Sequence, residues 1–231
     1  MRGCAPSSTM GMDMRAGLAL LAVAIGVGHP GRVFAQQVVD LGAVPGGAEW
    51  RVDRRPVTVI REDGRVVLRF SEGPGDALAW SPALRFTDGD IEFDARGRDV
   101  QQKSFLGVVF HVADDTTWDV VWLRPFNFQG VDSAHHAHAV QAASYPRYTW
   151  QRLRADYPGR FEAALSPVPD PNAWVHVRVS VSGAHVGVFI NRAATPALEV
   201  DMPSGLRDGG IGLWVGNGSN GDFGTLTLRR R

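Results

Sequence analysis

The chain has 231 residues and carries 24 basic against 24 acidic side chains, so it has no formal net charge at neutral pH. This balance provides no overall field to attract nucleic acid or an anionic membrane, and we expect neither as a partner. Cys4 is the only cysteine. The body of the chain therefore has no thiol for a disulfide, a cysteine nucleophile or a thiolate metal site.

The first residues have the layout of a secretory signal peptide. Arg15 precedes an apolar run over residues 16–27, and a small-residue cleavage site ends at Ala35. The run is shorter than the roughly 20 residues that a membrane-spanning helix needs, so we expect no stable membrane anchor. We predict that residues 1–35 are a signal peptide, that residues 36–231 form a single domain, and that the protein is secreted or periplasmic.

Apolar and polar side chains alternate with a period of two from Trp50 onward. Between Trp174 and Val181 the valines fall on one face and the polar side chains on the other, as in a half-buried strand. Asp63-Gly64 predicts a tight hairpin turn between the first two strand runs. These runs cover residues 56–61, 65–71, 89–96, 104–112, 117–124, 137–143, 185–191, 211–215 and 222–228.

Helices contribute little to the predicted framework. Only residues 149–156 suggest a helix, and Pro146 and Pro158 limit it to about two turns. Many short strands without crossover helices predict an all-β fold, a two-sheet antiparallel β-sandwich of the jelly-roll kind. The weakly periodic segment 126–160 is the expected place for binding groups, because long irregular segments on a rigid β scaffold often carry them.

Several segments in the second half of the chain share a family pattern: NAWVHVRV at 172–179, VGVFIN at 186–191, GIGLW at 210–214 and GDFGTL at 221–226. Together they resemble the concanavalin A-like lectin/glucanase superfamily. More narrowly, they are similar to laminin-G-like modules and to the secreted 3-keto-disaccharide hydrolase domains of bacteria. The resemblance implies a jelly roll whose concave sheet faces carbohydrate. The implied function ranges from lectin-like binding to hydrolysis or elimination, and the fold does not choose among these.

Glu92 and Asp94 alternate with apolar residues, so we expect both carboxylates on the polar face of one strand. A retaining glycosidase needs two carboxyl groups about 5 to 5.5 Å apart, and Glu92-Phe93-Asp94 resembles the first half of the catalytic strand of the superfamily's laminarinases. Arg96 and Gly97 stand where the third acid of that strand would be. Two interpretations stay open: Glu92 as a catalytic base, or a charged outer face paired with Arg96.

His111, Trp122 and Arg124 lie near the ends of two successive strand runs and would share one surface if these runs formed a hairpin. Trp122 offers an aromatic platform to the C–H face of a sugar, while Arg124 and His111 can donate hydrogen bonds to hydroxyl groups. Asn127, in the aromatic loop that follows, suits the same task. The alternative is that Trp122 is a core residue and Arg124 closes a salt bridge.

His135, His136 and His138 form the densest titratable cluster in the sequence, and imidazoles bind metals or transfer protons. We expect His136 and His138 to face the same side of a strand. Zinc usually takes three or four protein ligands, so a metal site here requires remote partners. A solvated histidine-rich loop is the alternative.

Polar and aromatic side chains continue after the histidine cluster. Gln141 and Tyr145 are candidate ligand-binding residues. Tyr148, Trp150 and Arg152 flank the predicted helix and are further candidates for the wall of a pocket.

The turn between Asn217 and Asp222 concentrates amide and carboxylate oxygens among glycines, and calcium prefers oxygen ligands. Asn217 and Asp222 are therefore candidate calcium ligands. Laminin-G-like modules often hold calcium near sheet edges, which the resemblance carries over as an expectation. Asn-Gly turns also form ordinary hairpins without a metal.

Three functions follow from these patterns. The first is an exported lectin-like domain that binds a saccharide through the residues around Trp122 and Arg124. The second is a glycoside hydrolase or a keto-sugar hydrolase or lyase, with His111, His138 or Glu92 as the base and Arg124 stabilising oxyanion charge. The third is a structural envelope or adhesion domain that contacts protein. The sequence contains no motif of serine hydrolases, zinc peptidases or phosphate-binding loops.

Overall fold

The alternation of apolar side chains produces an all-β structure. The computed structural model describes residues 1, 3, 36–130 and 132–231, and the predicted signal peptide, apart from Met1 and Gly3, lies outside the described residues. The strands of the described part, in chain order, are β1 (Gln36–Val38), β2 (Arg51–Asp53), β3 (Val57–Glu62), β4 (Arg65–Phe70), β5 (Ala77–Phe86), β6 (Gly89–Arg96), β7 (Leu106–Val112), β8 (Trp118–Leu123), β9 (Val140–Tyr145), β10 (Glu162–Ala163), β11 (Val175–Ser182), β12 (His185–Ile190), β13 (Leu198–Asp201), β14 (Gly209–Val215) and β15 (Gly221–Arg230). Short helices interrupt them: α1 (Ser133–His136), α2 (Trp150–Asp156), and 3-10 turns at Leu41–Ala43 and Pro125–Asn127.

The strands form two antiparallel sheets. Sheet A has the order β13-β12-β11-β6-β15-β4-β3, with β1 also paired to β15, and sheet B has the order β10-β9-β8-β7-β14-β5-β2. Strands remote in sequence become neighbours, as β7 and β14 do in sheet B. The predicted two-sheet antiparallel β-sandwich is confirmed.

The core lies between the inner faces of the two sheets. Leu106 and Val215 of sheet B point toward sheet A, since a Cβ added at Gly221 of β15 would lie 2.9 Å from Val215 and 3.3 Å from Leu106. On the sheet A side, the rings of Phe70 and Phe223 pack edge to face with centroids 5.6 Å apart. Removal of this apolar surface from water is the main stabilising contribution to such a sandwich.

Local sequence patterns explain the elements that were predicted correctly. The valines of β11 are buried and its polar residues are partly exposed, so the alternation is confirmed. Asp63 and Gly64 both have positive φ angles, 50° and 77°, which the tight hairpin between β3 and β4 requires. Thr149 caps α2 by accepting a hydrogen bond from the Arg152 N–H, and α2 ends at Asp156, close to the predicted bounds.

Some elements differ from the prediction. β5 was missed because Pro82 interrupts its apolar run, although the strand continues past it to Phe86. Residues 137–143 do not form one strand: β9 begins at Val140. Asp132 instead starts a helical turn that contains His136, by accepting a hydrogen bond of 2.8 Å from a backbone N–H of that turn. The prediction that His136 and His138 face the same side of a strand is therefore wrong.

No helix within the described residues is long and apolar enough to cross a membrane.

Candidate functional site

A row of cross-strand neighbours crosses sheet B on the face turned away from sheet A. In register order, the row consists of Trp214 on β14, Gly107 on β7, Trp122 on β8, Gln141 on β9 and Glu162 on β10. Residues directly opposite each other project to the same face of a sheet. The register therefore gathers aromatic and polar side chains that lie far apart in the sequence.

Gly107 allows the two tryptophans of this row to approach each other. A Cβ at Gly107 would lie 2.0 Å from the Val121 carbonyl oxygen and 2.6 Å from the Trp122 Cα atom. No side chain fits there unless the backbone moves. The indole rings of Trp122 and Trp214 consequently approach to 5.5 Å between centroids.

Further aromatic rings extend this surface along sheet B. Trp118 stacks on Tyr145 with centroids 4.3 Å apart and an interplanar angle of 30°. The Trp118 ring also lies 6.4 Å from that of Trp214. Contiguous aromatic rings thus cover the outer face of sheet B, and the three tryptophans among them are almost completely buried.

A cavity of about 430 Å³ lies over this aromatic face. This volume falls within the range of about 300 to 1,000 Å³ that is typical of small-molecule sites. Aromatic, amide and ionisable side chains from several strands, a loop and α2 form its wall: Asp76, Gln102, Phe105, Trp122, Arg124, Asn127, His135, His138, Tyr145, Trp150, Arg154, Trp214, Gly216 and Asn217.

Arg124 is a buried cation in the wall of the cavity, with only 6% of its surface exposed. Its guanidinium donates hydrogen bonds to the His138 carbonyl oxygen, at 2.9 Å, and to Oε1 of Gln141. The guanidinium carbon lies 5.2 Å from the centroid of Trp122 and 5.6 Å from that of Phe105. All of these contacts are with neutral groups.

The backbone around Arg124 fixes its position. The Arg124 N–H donates to the Ala139 carbonyl oxygen at 2.8 Å, and the Asn127 N–H donates to the Arg124 carbonyl oxygen at 2.8 Å. Pro125 begins the 3-10 turn between them, a position that suits its fixed φ angle. Nδ2 of Asn127 donates to the same His138 carbonyl oxygen, at 3.3 Å. Arg124 and Asn127 are therefore held side by side.

The ionisable groups next to Arg124 leave an excess of positive charge. Burial lowers the pKa of Arg124 to about 10, and the nearby cation Arg154 acts in the same direction. Arg154 itself donates two hydrogen bonds, of 3.0 and 2.6 Å, to Glu162. His138 Nδ1 lies 2.9 Å from Glu162 Oε2, but burial lowers the pKa of His138, so its imidazole is neutral at pH 7. Within this group, one carboxylate faces two guanidinium ions.

Asp76 contributes an acidic group to the same cavity. Its Oδ1 accepts a hydrogen bond of 3.1 Å from the Asn217 N–H. Burial nevertheless raises the pKa of Asp76, against the opposing effects of that hydrogen bond, of the Arg54 charge and of the nearby Trp214 indole N–H. A carboxylate kept in a desolvated place opposes folding at neutral pH and is typical of functional sites.

Besides Nδ1 of His138, which lies 2.9 Å from Glu162, polar atoms of three cavity residues have no hydrogen-bond partner of good geometry among the described residues: Nε1 of Trp122, Nε1 of Trp214, which lies near Asp76, and Oδ1 of Asn127. These three side chains are almost completely buried. An unpaired buried donor or acceptor costs about 1 to 3 kcal/mol. Two donors and one acceptor left open around one cavity are therefore suited to a polar ligand.

Glu92 and Asp94 lie on the outer face of sheet A, as predicted, and therefore on the sheet opposite the cavity. His176 contacts both, with Nδ1 2.9 Å from Asp94 and Nε2 3.5 Å from Glu92. The expected pairing with Arg96 is wrong. Arg96 instead donates to Glu62 and Asp222, the carboxylates that its guanidinium reaches across the sheet.

His111 does not share a surface with Trp122 and Arg124, so that prediction is wrong. The register between β7 and β14 shifts near this residue, and His111 has a φ of 52°. Such a bulge changes the face to which a side chain points. The His111 ring is buried, with Nδ1 3.0 Å from Oδ2 of Asp119 and Nε2 3.2 Å from the Thr87 carbonyl oxygen. Ser144 donates a 2.6 Å hydrogen bond to the other Asp119 oxygen.

The three clustered histidines separate in the structure. His138 and His135 line the cavity, and His135 Nδ1 lies 2.8 Å from Oδ1 of Asp132. His136 belongs to α1 and is not part of the cavity wall. In the part of the chain that the structure describes, no group of three or more His, Cys, Asp or Glu side chains is arranged to hold a metal.

Known structures with the same architecture identify the fold. The carbohydrate-binding module CBM66 from Bacillus subtilis is 13% identical, with a TM-score of 0.53 over 78% of this chain and 95% of that chain. A Bacillus subtilis protein of unknown function with a galectin-like fold is 14% identical, with a TM-score of 0.53 over 86% of this chain and all (100%) of that chain. The chain has the concanavalin A-like lectin fold.

A third structure with this fold is the exoplasmic/lumenal domain of VIP36 in its Ca2+/Man3GlcNAc-bound form. It is 12% identical, with a TM-score of 0.52 over 80% of this chain and 84% of that chain. No protein-family model matches the sequence, and no curated protein sequence matches it significantly. The resemblance to the concanavalin A-like superfamily is thus confirmed at the level of the fold.

The candidate calcium ligands of this concanavalin A-like chain have other partners. Asn217 lines the cavity, and its Oδ1 accepts a 2.7 Å hydrogen bond from the Gly75 N–H. Asp222 lies on sheet A, where Arg69 donates to both of its oxygens and Arg96 to one of them. These arginines supply the positive charge that a calcium ion would otherwise provide.

Other cavity residues were not predicted from the sequence. Asp76 precedes β5, Phe105 precedes β7, Arg154 lies on α2 and Trp214 lies on β14. Trp214 follows Leu213 in an entirely apolar run. The polarity pattern therefore could not show which of the two side chains faces the core. Only the strand order of the concanavalin A-like fold brings these residues to Trp122.

Proposed function

We propose that the cavity over sheet B binds a saccharide and that the protein is an exported, lectin-like carbohydrate-binding domain. The observation that carries the proposal is the combination of contiguous indole rings with unpaired polar atoms of Trp122, Trp214 and Asn127. A sugar ring has an apolar C–H face and a polar rim of hydroxyl groups. It can stack on the indoles while its hydroxyls bond to the unpaired atoms.

The arrangement of the ionisable groups supports the same proposal. The residues predicted to bind a ligand, Trp122, Arg124, Asn127 and Tyr145, line the cavity together, and Gln141 orients Arg124. Asp76 adds a strong acceptor for hydroxyl groups. Carbohydrate sites need both donors and acceptors because each hydroxyl is both. The carbohydrate-binding module CBM66 and the sugar-bound VIP36 domain share this fold, which supports the proposal.

Export is part of the proposal, because residues 1–35 have the layout of a signal peptide. A chelator tests whether saccharide binding requires calcium. Asn217 and Asp222 are engaged by other groups, so we expect a chelator to leave saccharide binding unchanged. Chelator-sensitive binding would instead show that a metal ion takes part in saccharide binding.

A glycan array probed with the processed protein tests the proposal. We expect binding to a restricted set of saccharides, and loss of that binding in Trp122→Ala. Trp174→Ala is the matched control, because Trp174 packs against Arg65 and Arg96 on sheet A. Absence of binding to every glycan would refute the proposal and favour an adhesion domain that contacts protein.

A hydrolase or lyase acting on a di- or oligosaccharide is the second candidate. The observation that favours it is the 2.9 Å distance from Nδ1 of His138, a residue of the cavity wall, to Glu162, since a neutral imidazole beside a carboxylate can act as a general base. Arg124 would then stabilise developing negative charge. A panel of glycosides and 3-keto-glycosides, assayed beside the array, decides between lectin and enzyme. Released product that disappears in His138→Ala supports the enzyme. Binding without released product supports the lectin.

A further inference from the structure

The structure points to the charge of the saccharide. We propose that the ligand is an acidic saccharide whose carboxylate pairs with Arg124. This inference rests on the proposed function, because it assigns a chemical class to the sugar bound in the same cavity.

The contacts of Arg124 carry the inference. The side chain is 6% exposed, yet its two side-chain hydrogen bonds go to neutral oxygens, the His138 carbonyl and the Gln141 amide. No carboxylate of the described residues lies within salt-bridge distance of it. Buried charges in proteins are normally paired. Arg124 is therefore a buried cation without a carboxylate in direct contact, although Glu162 acts on it at longer range and Asp76 lines the same cavity.

The neighbouring acid, Glu162, raises the pKa of Arg124 from a distance, but its hydrogen bonds go to another cation. Both oxygens of Glu162 accept hydrogen bonds from Arg154. His138 lies on the same carboxylate, and burial holds its pKa below the usual value, so it adds no further cation at neutral pH. The group of Arg124, Arg154 and Glu162 has one net positive charge, which one carboxylate would neutralise.

The geometry of a guanidinium favours a carboxylate in particular. A guanidinium has five N–H donors in one plane, and Arg124 uses two of them in the protein. The remaining donors can form a planar, two-point contact with a carboxylate. Phe105 and Trp122 flank the guanidinium, so the carboxylate would enter within its plane while the attached sugar ring lies along the indoles.

Matched acidic and neutral sugars test this with the wild-type protein. Oligogalacturonate, oligomannuronate and oligoglucuronate are each titrated beside their carboxyl-reduced forms, which keep the same rings and linkages. We expect at least one of them to bind, and its reduction to weaken binding at least ten-fold. We also expect added salt to weaken binding of the acidic form more than that of the neutral form.

Substitution of Arg124 tests whether this residue causes the preference for an acidic saccharide. In Arg124→Gln we expect the preference for the acidic form to disappear. Arg178→Gln is the control, because Arg178 also lies over an aromatic ring, Phe189 at 3.6 Å, but on sheet A. If Arg124→Gln does not fold, the comparison of acidic and reduced sugars with the wild type still decides.

The outcomes separate this inference from the proposed function. Equal binding of acidic and reduced forms, or binding of neutral or sulfated glycans alone, overturns the carboxylate assignment and leaves saccharide binding intact. Absence of binding to any saccharide overturns both. A preference that persists in Arg124→Gln also overturns the assignment.

Discussion

The indole rings of Trp122 on β8 and Trp214 on β14 lie 5.5 Å apart across Gly107 of β7, the strand between them in sheet B. Both ring N–H groups lack a hydrogen-bond partner of good geometry among the described residues. The pair therefore combines an apolar platform with two donors, of which that of Trp214 lies near Asp76. In the proposed function, saccharide recognition uses both properties.

Trp122→Phe separates the platform from the donor. The phenyl ring keeps much of the apolar contact, while the indole N–H is lost. We expect saccharide binding to weaken about 3- to 10-fold, the effect of one hydrogen bond. Isothermal titration of wild type, Trp122→Phe and the sheet A control Trp174→Phe measures it. Unchanged binding in Trp122→Phe would show that the indole N–H has no contact with the ligand.

Gly107→Ala tests the close approach of the strands. The added Cβ would lie 2.0 Å from the Val121 carbonyl oxygen, so the backbone must shift. We expect a loss of stability of about 1 to 3 kcal/mol, the usual effect of overpacking, and weaker saccharide binding. Urea unfolding measures the stability.

Gly187→Ala is the matched control for that substitution. At Gly187 the nearest atom to an added Cβ is the end of the Phe189 ring, at 3.1 Å, and a ring can turn aside. We expect a smaller loss of stability there. A Gly107→Ala protein as stable as Gly187→Ala would contradict the explanation.

His111→Ala distinguishes a structural from a functional role of this histidine. The substitution leaves Asp119 buried with only Ser144 as its side-chain partner. Removing one partner of a buried polar group typically costs about 1 to 3 kcal/mol, and more where the remaining group is charged. We therefore expect a large fall in the urea midpoint, with saccharide affinity of the folded protein unchanged. His185→Ala, at an exposed position, should change neither quantity, and a selective loss of affinity in His111→Ala would restore His111 as a site residue.

Asp76→Asn should stabilise the protein at neutral pH. Burial raises the pKa of Asp76 in the folded state, so the folded state binds a proton more tightly than the unfolded chain does. Wild-type stability therefore decreases as the pH rises from the unfolded pKa of about 3.9 through the raised folded value. Asparagine has no such ionisation and can still accept from the Asn217 N–H.

The measurement for Asp76→Asn is unfolding at several pH values together with saccharide titration. We expect the variant to exceed the wild type in stability at pH 7, to lose that advantage near pH 4, and to bind saccharide more weakly. A variant that is less stable than the wild type at pH 7 would show that the carboxylate makes a net favourable contact.

The sequence predicted the framework well where polarity alternates and poorly where it does not. β11 and the Asp63-Gly64 hairpin follow from local rules. The apolar runs of β8 and β14 are buried along their whole length. For such strands the faces cannot be read from composition, because both the core side and the aromatic outer side are apolar.

The site was predicted in part for a similar reason. Trp122, Arg124 and Asn127 are close in sequence, so their proximity could be inferred. Trp214 and Asp76 reach the cavity through the strand order, which a local pattern does not specify. His111 was misplaced because a bulge in β7 changes the face of its side chain, and such a bulge has no clear mark in the sequence.

Asp119 on β8 links three strands of the proposed binding site. Its carboxylate bonds to His111 on β7 and to Ser144 on β9. These bonds hold together the strands that bear Gly107, Trp122 and Tyr145. In the proposed function, the strands beneath the sugar are thus joined before any ligand binds, and the Ser144 bond keeps Asp119 linked to β9 in His111→Ala. A preformed site loses less conformational entropy when its ligand binds.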